Sequence, residues 1–336
     1  EADVPTVTLD LNISASNQSL DPVRDMLGDK VSDLGPVDGD VGVTGTLPDM
    51  RLTLKDFAVD RIKANGDVTL DVDEDQPLKG YSLDLAATGQ ALGRFQPLLG
   101  VTWPQLDPVD LTATVEGDLE KVTIDDFTFR SVTTDLFGHG SVVFDPEAIE
   151  IEAVVTSDVT DLTRLFPDYE PARAPDLISA EEAKSVVPAK DREKVFSDEP
   201  LPLKFLRTAD IDISFQPKKF VTPYGVFENV NLRVVLEEDA LNVRPLEARY
   251  ADSDLRGDFS LDARGQTPLV GLSLRSPDIQ IGQLFKDFAN LDVLEGSGAI
   301  DIALSGSGNS IAAIAGSLDG HARQLMGKGR MRNEGL

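Results

Sequence analysis

The feature that most constrains this chain is a two-residue alternation of apolar and polar side chains. In the segment 254–285, Phe259 and Leu261 alternate with polar residues, and after a polar turn Leu272 and Leu274 do so again. Such alternation is typical of a β-strand with one apolar face and one solvated face. The segment therefore predicts two strands, and the residues after them predict the start of a short helix.

The same arrangement occurs twice earlier in the chain, at 65–95 and at 139–166. Each copy has a glycine that opens an alternating strand, a turn that contains proline, a second alternating strand and a helical ending with Leu and Phe. Gly45 and Gly117 stand at matching places and are 72 residues apart. We therefore predict a mainly β repeat protein, in which an antiparallel sheet is built from units of about 70 residues with short helices between them.

The repeats predict three parts of the chain. Residues 1–168 are expected to hold two units, and 206–336 a third unit with the start of a fourth, in a chain that we expect to be a fragment of a longer protein. Between them, 169–205 is an acidic insert rich in Pro, Glu and Lys, where Ser179 and Glu182 form a capping box that predicts a short helix. Further short helices are predicted at 22–31, at 91–99 and at 310–318, the last of them ended by Gly320.

Charge and composition exclude several classes of function. The chain has 336 residues and a net charge of -28, which disfavours nucleic acid as a partner and disfavours electrostatic docking on anionic membranes. It has no cysteine, so disulfides and thiol chemistry are excluded. No apolar run approaches the roughly 18 residues that a membrane-spanning helix requires.

Residue patterns for catalysis are missing from the sequence. His139 and His321 stand far from each other, and without cysteine a zinc site would need carboxylates grouped around one histidine. The Gly-Ser-Gly triplets at 296–298 and 306–308 lack the third glycine of a dinucleotide-binding loop. We therefore expect no catalytic residue, no metal site and no cofactor, and we expect that the chain is not an enzyme.

One acidic segment is similar to the beginning of a calcium-binding loop. Residues 71–75 have aspartates at alternate positions, but Gln76 stands where such a loop needs glycine. Ser82 stands where a closing glutamate is needed. A solvated turn between strands is the better interpretation.

The apolar faces of so many strands must be shielded from water. Burying a Val, Leu or Ile side chain gains roughly 1.5–3 kcal/mol, and a few short helices are too small to cover this much sheet. Either two sheets close into a sandwich or a stacked solenoid core, or the sheet curls and holds something apolar inside. Periodicity alone leaves both arrangements open.

Particular segments of the chain resemble the AsmA-like family of bacterial envelope proteins. These are FSDEPLPLKFLRTADIDISF at 196–215, the segment 236–274 that begins LEEDALNVRPLEARY, and the segment 296–331 that begins GSGAIDIALSGSG. The resemblance is specific over 196–331 and weaker over 1–168, and the insert carries no motif of the family. It implies an elongated, curved antiparallel sheet with short crossover helices that forms an apolar groove.

The resemblance also implies a function. Members of the family are anchored in the inner membrane, project into the periplasm and are implicated in moving phospholipid toward the outer membrane. We therefore expect a periplasmic segment that shields acyl chains for transfer between the two membranes. The expected partners are phospholipids, the inner membrane through an anchor outside this chain, and outer-membrane components. The alternative is an envelope scaffold or assembly factor that affects outer-membrane protein insertion without carrying lipid.

Candidate lipid-binding residues are the apolar members of the alternating strands. For any one of them, packing against a crossover helix remains open as the alternative to contact with lipid. The set is Leu9, Leu11, Ile13, Val68, Leu70, Val72, Leu83, Leu85, Leu111, Val115, Ile149, Ile151, Ile211, Ile213, Phe259, Leu261, Leu272, Leu274, Ile300 and Ile302.

Overall fold

The structure is a computed structural model. It describes residues 8–18, 36–46, 49–59, 62–71, 78–88, 109–145, 149–165, 197–201, 203–207, 209–289, 294–327 and 330–331. The chain divides into two compact units, Glu1–Thr160 with Arg164–Phe166, and Asp161–Thr163 with Pro167–Leu336.

The first unit is an antiparallel sheet in which each strand pairs with the next one along the chain. Its strands are β1 (Thr8–Gln18), β2 (Val37–Thr46), β3 (Asp49–Val59), β4 (Ile62–Asp71), β5 (Leu78–Thr88), β6 (Asp110–Gly117), β7 (Lys121–Arg130), β8 (Asp135–Phe144) and β9 (Ile149–Asp161). A short helix, α1 (Leu162–Leu165), follows β9.

The second unit begins with a 3₁₀ turn (Leu203–Arg207) and continues with β10 (Ala209–Thr222), β11 (Gly225–Glu237), β12 (Ala240–Tyr250), β13 (Ser253–Asp262), β14 (Leu269–Gln280), α2 (Ile281–Ala289), β15 (Leu294–Glu295), β16 (Ser297–Ser307), α3 (Ile311–Gly316), β17 (Asp319–Met326) and β18 (Arg330–Met331). Strands β10 to β14, β16 and β17 pair antiparallel in chain order, and β15 pairs with β18. The predicted fold class is confirmed: the chain is mainly β, with antiparallel strands and few short helices.

The two glycines that set the repeat length have the same structural role. Gly45 has a positive φ of 125°, and a Cβ atom placed there would lie 2.2 Å from the carbonyl oxygen of Asp49. A Cβ atom on Gly117 would lie 2.1 Å from the carbonyl oxygen of Lys121. Both distances are far below van der Waals contact, so a residue with a side chain does not fit at either hairpin.

The helices predicted from the sequence have different outcomes. The helix predicted at 310–318 is present as α3, and the hydroxyl of its N-cap Ser310 accepts a hydrogen bond from the amide of Ala313. The prediction that Gly320 ends this helix is wrong: the C-cap is Ser317, and Gly320 lies in β17 opposite Leu304. The helices predicted at 22–31, at 91–99 and in the insert lie outside the described residues.

Among the described residues, buried apolar side chains form two clusters, and both belong to the second unit. One consists of Tyr250, Leu255, Ile279, Ile281 and Ile300. The other consists of Leu206, Leu236 and Ala263. Most other apolar residues of the described strands keep part of their surface exposed.

Candidate functional site

Strand register places most apolar residues of the first unit on one side of its sheet. Residues that are directly opposite each other in an antiparallel pair have side chains on the same face. One such row crosses five strands: Leu11, Val43, Leu52, Val68 and Tyr81. A second row crosses β5 to β7: Leu83, Val115 and Ile124. We call the side of each sheet that carries these rows its apolar face.

The second unit has an apolar face of the same kind. A single row of directly paired residues crosses six strands: Ile213, Val234, Val243, Phe259, Leu272 and Leu304. A neighbouring row joins Gly257, Leu274, Ile302 and Ala322. The apolar face is therefore continuous from β10 to β17.

Nineteen of the twenty residues predicted to bind lipid lie on these two apolar faces by register, and Val72 lies outside the described residues. Leu11, Ile13, Ile149 and Leu272 are exposed, and Leu11 keeps 51% of its surface in contact with solvent. Ile300 is buried, and the others are half-buried. The register brings the predicted residues together within each unit, and their contact with lipid stays a prediction.

Within each unit the long strands contact chiefly their neighbours in sequence. A sandwich would place a second sheet about 10 Å above the apolar face. Among the described residues, the long strands of each unit belong to one sheet, and the only further sheet is the short pair β15–β18 of the second unit. Leu11 and Ile13 in the first unit and Leu272 in the second are exposed on the apolar face, so the described long strands of each unit form an open sheet and not one half of a closed sandwich within that unit.

The opposite side of each sheet is polar. Arg51 donates a hydrogen bond to Asp67 at 2.7 Å, and Thr53 donates another to Asp67 at 2.7 Å. These two hydrogen bonds, with that from Arg51 first, lower the pKa of the Asp67 carboxyl. In the second unit, Arg233 forms two hydrogen bonds to Asp212, at 2.7 and 2.5 Å. Exposed ion pairs of this kind add little stability, and they keep this side of the sheet solvated.

An apolar cavity of about 610 Å³ lies in the second unit, between the apolar face and α2. Its walls include Phe227 of β11, Leu255 of β13, Leu274 of β14 and Ile300 of β16. Leu284 lines it from α2. The cavity is therefore a part of the apolar face that α2 partly covers.

Tyr250 connects this cavity to α2. Its ring lines the cavity, and its hydroxyl donates a hydrogen bond to Oδ2 of Asp287 at 2.6 Å and lies 3.3 Å from the carbonyl oxygen of Gln283. The side-chain amide of Gln283 donates a hydrogen bond to Oδ1 of the same Asp287 at 2.7 Å. Burial, and next the hydrogen bond to Asp287, raise the pKa of the Tyr250 phenol.

Gly225 makes room for this contact. A Cβ atom placed on Gly225 would lie 3.0 Å from Cε2 of Tyr250 and 3.1 Å from Oδ2 of Asp287. The residue also has a positive φ of 139°, which side chains disfavour. The start of β11 is therefore shaped for the close approach of α2.

Three of the predicted residues, Leu274, Ile300 and Ile302, line the cavity, while the other predicted residues of the second unit do not. Sequence reasoning missed Tyr250 and Leu284. The available signals were weak: Tyr250 ends an alternating strand, and the amphipathic segment that became α2 follows β14 directly. Neither signal says which strands the helix lies against.

The structure also locates the residues considered for other chemistry. His139 is exposed on the polar side of the first unit, opposite Val154. Nε2 of His321 lies 3.5 Å from Oδ1 of Asp301. Among the described residues, no three His, Asp or Glu are grouped to hold a metal ion. Most of the calcium-like segment 71–75 lies outside the described residues. No helix of the described part is long and apolar enough to span a bilayer.

The fold and its apolar faces define a class of protein: an antiparallel β-sheet protein whose strands follow one another in chain order and leave one apolar face partly uncovered. Comparison with known proteins identifies the family. The model of the AsmA family matches residues 113–335, and the chain belongs to this family.

A similar curated relative is the AsmA family protein YhjG of Escherichia coli (strain K12), which is 24% identical to this chain over 277 residues. The alignment covers 77% of this chain and 39% of the relative, so the chain spans about two fifths of the relative's length. No solved structure matches the chain.

Proposed function

We propose that this chain shields the acyl chains of phospholipids on its apolar faces while their headgroups stay in water. The observation that carries this function is the register, which gathers most apolar side chains of each unit on one face, where Leu11 of the first unit and Leu272 of the second remain exposed. Membership of the AsmA family supports the same function.

The physical gain is large enough to matter for lipid transfer. Each methylene group in water costs about 0.8 kcal/mol, so an exposed chain of sixteen would cost on the order of 13 kcal/mol. Contact with a continuous apolar face removes most of this cost wherever the acyl chain lies on that face. The chain needs no chemical step for this role, and we propose that it is a binding protein rather than an enzyme.

Family membership also supports a cellular setting for the proposed role. We infer a periplasmic segment of a protein anchored in the inner membrane, which passes phospholipid between the inner and outer membranes. The partners in this setting are phospholipids, the inner membrane through an anchor outside this chain, and components of the outer membrane.

Native mass spectrometry of the purified chain tests the proposal. Phospholipid should copurify, and the variants Leu70→Asp and Leu261→Asp should lose it because a charge on the apolar face repels acyl chains. Matched controls are Thr69→Asp and Ser260→Asp, whose side chains lie on the polar side of the same strands. These two control variants should retain the phospholipid.

Two results would contradict the proposal. One is that the folded Leu70→Asp and Leu261→Asp variants retain as much phospholipid as their controls. The other is that the unmodified chain carries no phospholipid at all, which would favour the scaffold or assembly-factor role.

A further inference from the structure

The cavity under α2 is unusual for a helix that only covers a sheet. Native interiors contain few voids larger than a water molecule. A volume of about 610 Å³ instead falls among ligand pockets, which span about 300–1,000 Å³. The helix is nine residues long and begins directly after β14, where Ile279 is 0% and Ile281 1% exposed. The first residue of α2 is therefore anchored in the buried cluster, whereas Leu284, three residues later, lines the cavity.

The next turns of α2 are held to the sheet by a small polar cluster. Tyr250 donates to Asp287 from the sheet, and Gln283 donates to Asp287 from one turn earlier in the helix. A hydrogen bond from a neutral donor to a carboxylate is stronger than one between neutral groups. The Tyr250 ring is fully buried, so rotation of the half-buried Asp287 side chain is the change that would break this contact. This arrangement fits a contact that closes and reopens.

The lining of the cavity indicates its occupant. Its walls are apolar except for Glu247, whose carboxylate accepts a hydrogen bond from Asn231 on the polar side of the sheet. No lysine or arginine of the described residues lines the cavity, so an anionic carboxylate or phosphate inside would lose its hydration without gaining a cationic partner. The lining suits an uncharged hydrocarbon chain. Leu274 and Ile302 continue this lining into the apolar face, since the two are paired in register.

We propose that the cavity under α2 holds the methyl end of one hydrocarbon chain, and that α2 is a lid which the Tyr250–Asp287 hydrogen bond latches. This inference rests on the proposed function and specifies it: the apolar face of the second unit contains a site where one acyl chain end stops, rather than a uniformly open path.

Photocrosslinking locates the chain end directly. The probe is a palmitic acid analogue with a diazirine at the methyl end, compared with one that carries the diazirine near the carboxylate, and crosslinked peptides are identified by mass spectrometry. In the unmodified chain, the methyl-end probe should label residues 246–255 and 274–284 at least about fivefold more than the carboxylate-end probe. Equal labelling by the two probes would overturn the assignment, and this comparison needs no variant.

A variant that fills the cavity gives an independent test. Ala248 lines the cavity, so Ala248→Trp should remove most of the methyl-end labelling there. Ala303→Trp is the matched control, because Ala303 lies on the polar side of β16, opposite His321. Unchanged labelling in a folded Ala248→Trp variant would overturn the proposal.

Hydrogen exchange tests the latch. Tyr250→Phe removes the hydroxyl and keeps the ring, so amides of 281–289 should exchange about tenfold faster, as expected for loss of a hydrogen bond to a charged group. Tyr81→Phe, in the first unit, should leave this segment unchanged. Equal protection of α2 in both variants would show that Tyr250 does not latch it.

The outcomes separate this inference from the proposed function. Crosslinks elsewhere on the apolar faces without labelling at the cavity would refute the cavity site and leave the proposed function standing. Absence of both crosslinks and copurified phospholipid would refute both.

Discussion

The hydroxyl of Tyr250, at the end of β12, donates a 2.6 Å hydrogen bond to Asp287 of α2, 37 residues further along the chain. This contact joins α2 to β12, whereas the strands next to α2 along the chain are β14 and β15. The same phenol has its pKa raised, by burial first and by Asp287 second. The neutral phenol is therefore the form that the folded state favours.

Alkaline pH should remove the stability that Tyr250 contributes. Because the folded state raises the pKa, this contribution is complete below the unfolded value near 10 and is lost as pH rises above it. The difference in unfolding free energy between the unmodified chain and Tyr250→Phe should therefore be larger at pH 8 than at pH 11. Urea unfolding at both pH values measures this difference in unfolding free energy. A larger difference at pH 11 than at pH 8 would contradict the predicted direction.

Substitution of Gly117 should destabilise the first unit. A Cβ atom there would lie 2.1 Å from the carbonyl oxygen of Lys121, so Gly117→Ala should cost more than about 2 kcal/mol of unfolding free energy. Gly265→Ala is the matched control, because the nearest atom to its added Cβ is 3.7 Å away. Urea unfolding should show little change for the control, and equal midpoints for the two variants would refute the role of Gly117.

Leucines on the apolar face should differ in cost according to their exposure. Leu11 is 51% exposed and Leu255 is 7% exposed. Leu11→Ala should therefore cost less than about 1 kcal/mol, whereas Leu255→Ala should cost about 2–5 kcal/mol. Similar large losses for both in thermal or urea unfolding would mean that Leu11 is covered in solution.

Removing one buried hydroxyl should stabilise the second unit. The Oγ atom of Ser276 is buried and has no hydrogen-bond partner among the described residues. Leaving such a group unsatisfied costs about 1–3 kcal/mol, so Ser276→Ala should raise the unfolding free energy. The control is Ser253→Ala, which removes a hydroxyl that donates to the carbonyl of Asp278 and should lower it. Destabilisation by Ser276→Ala would indicate a partner for its hydroxyl.

The alternation in the sequence was sufficient to predict the strands and the composition of their faces. The residues Phe259 and Leu272 show why: their two strands follow each other, and a hairpin between sequence neighbours places like faces together. The predicted end of the last helix at Gly320 was wrong because that glycine serves a close approach in β17, where a Cβ atom would lie 2.0 Å from the carbonyl oxygen of Ala303.

The cavity could not be predicted in the same way. It depends on where α2 lies relative to β11 and β12, which precede it by whole hairpins, and local periodicity carries no information about that placement. The contact between Tyr250 and Asp287 and the space made by Gly225 appear only when the strands are assembled. Sequence reasoning thus predicted the apolar faces and missed the cavity under α2.

An experimental structure of the chain purified with its native lipid tests the central claim most directly. If the apolar faces bind acyl chains, elongated density should lie along the row that contains Val243 and Phe259, in contact with their side chains. An apolar face covered by a second sheet, with no such density, would contradict the claim.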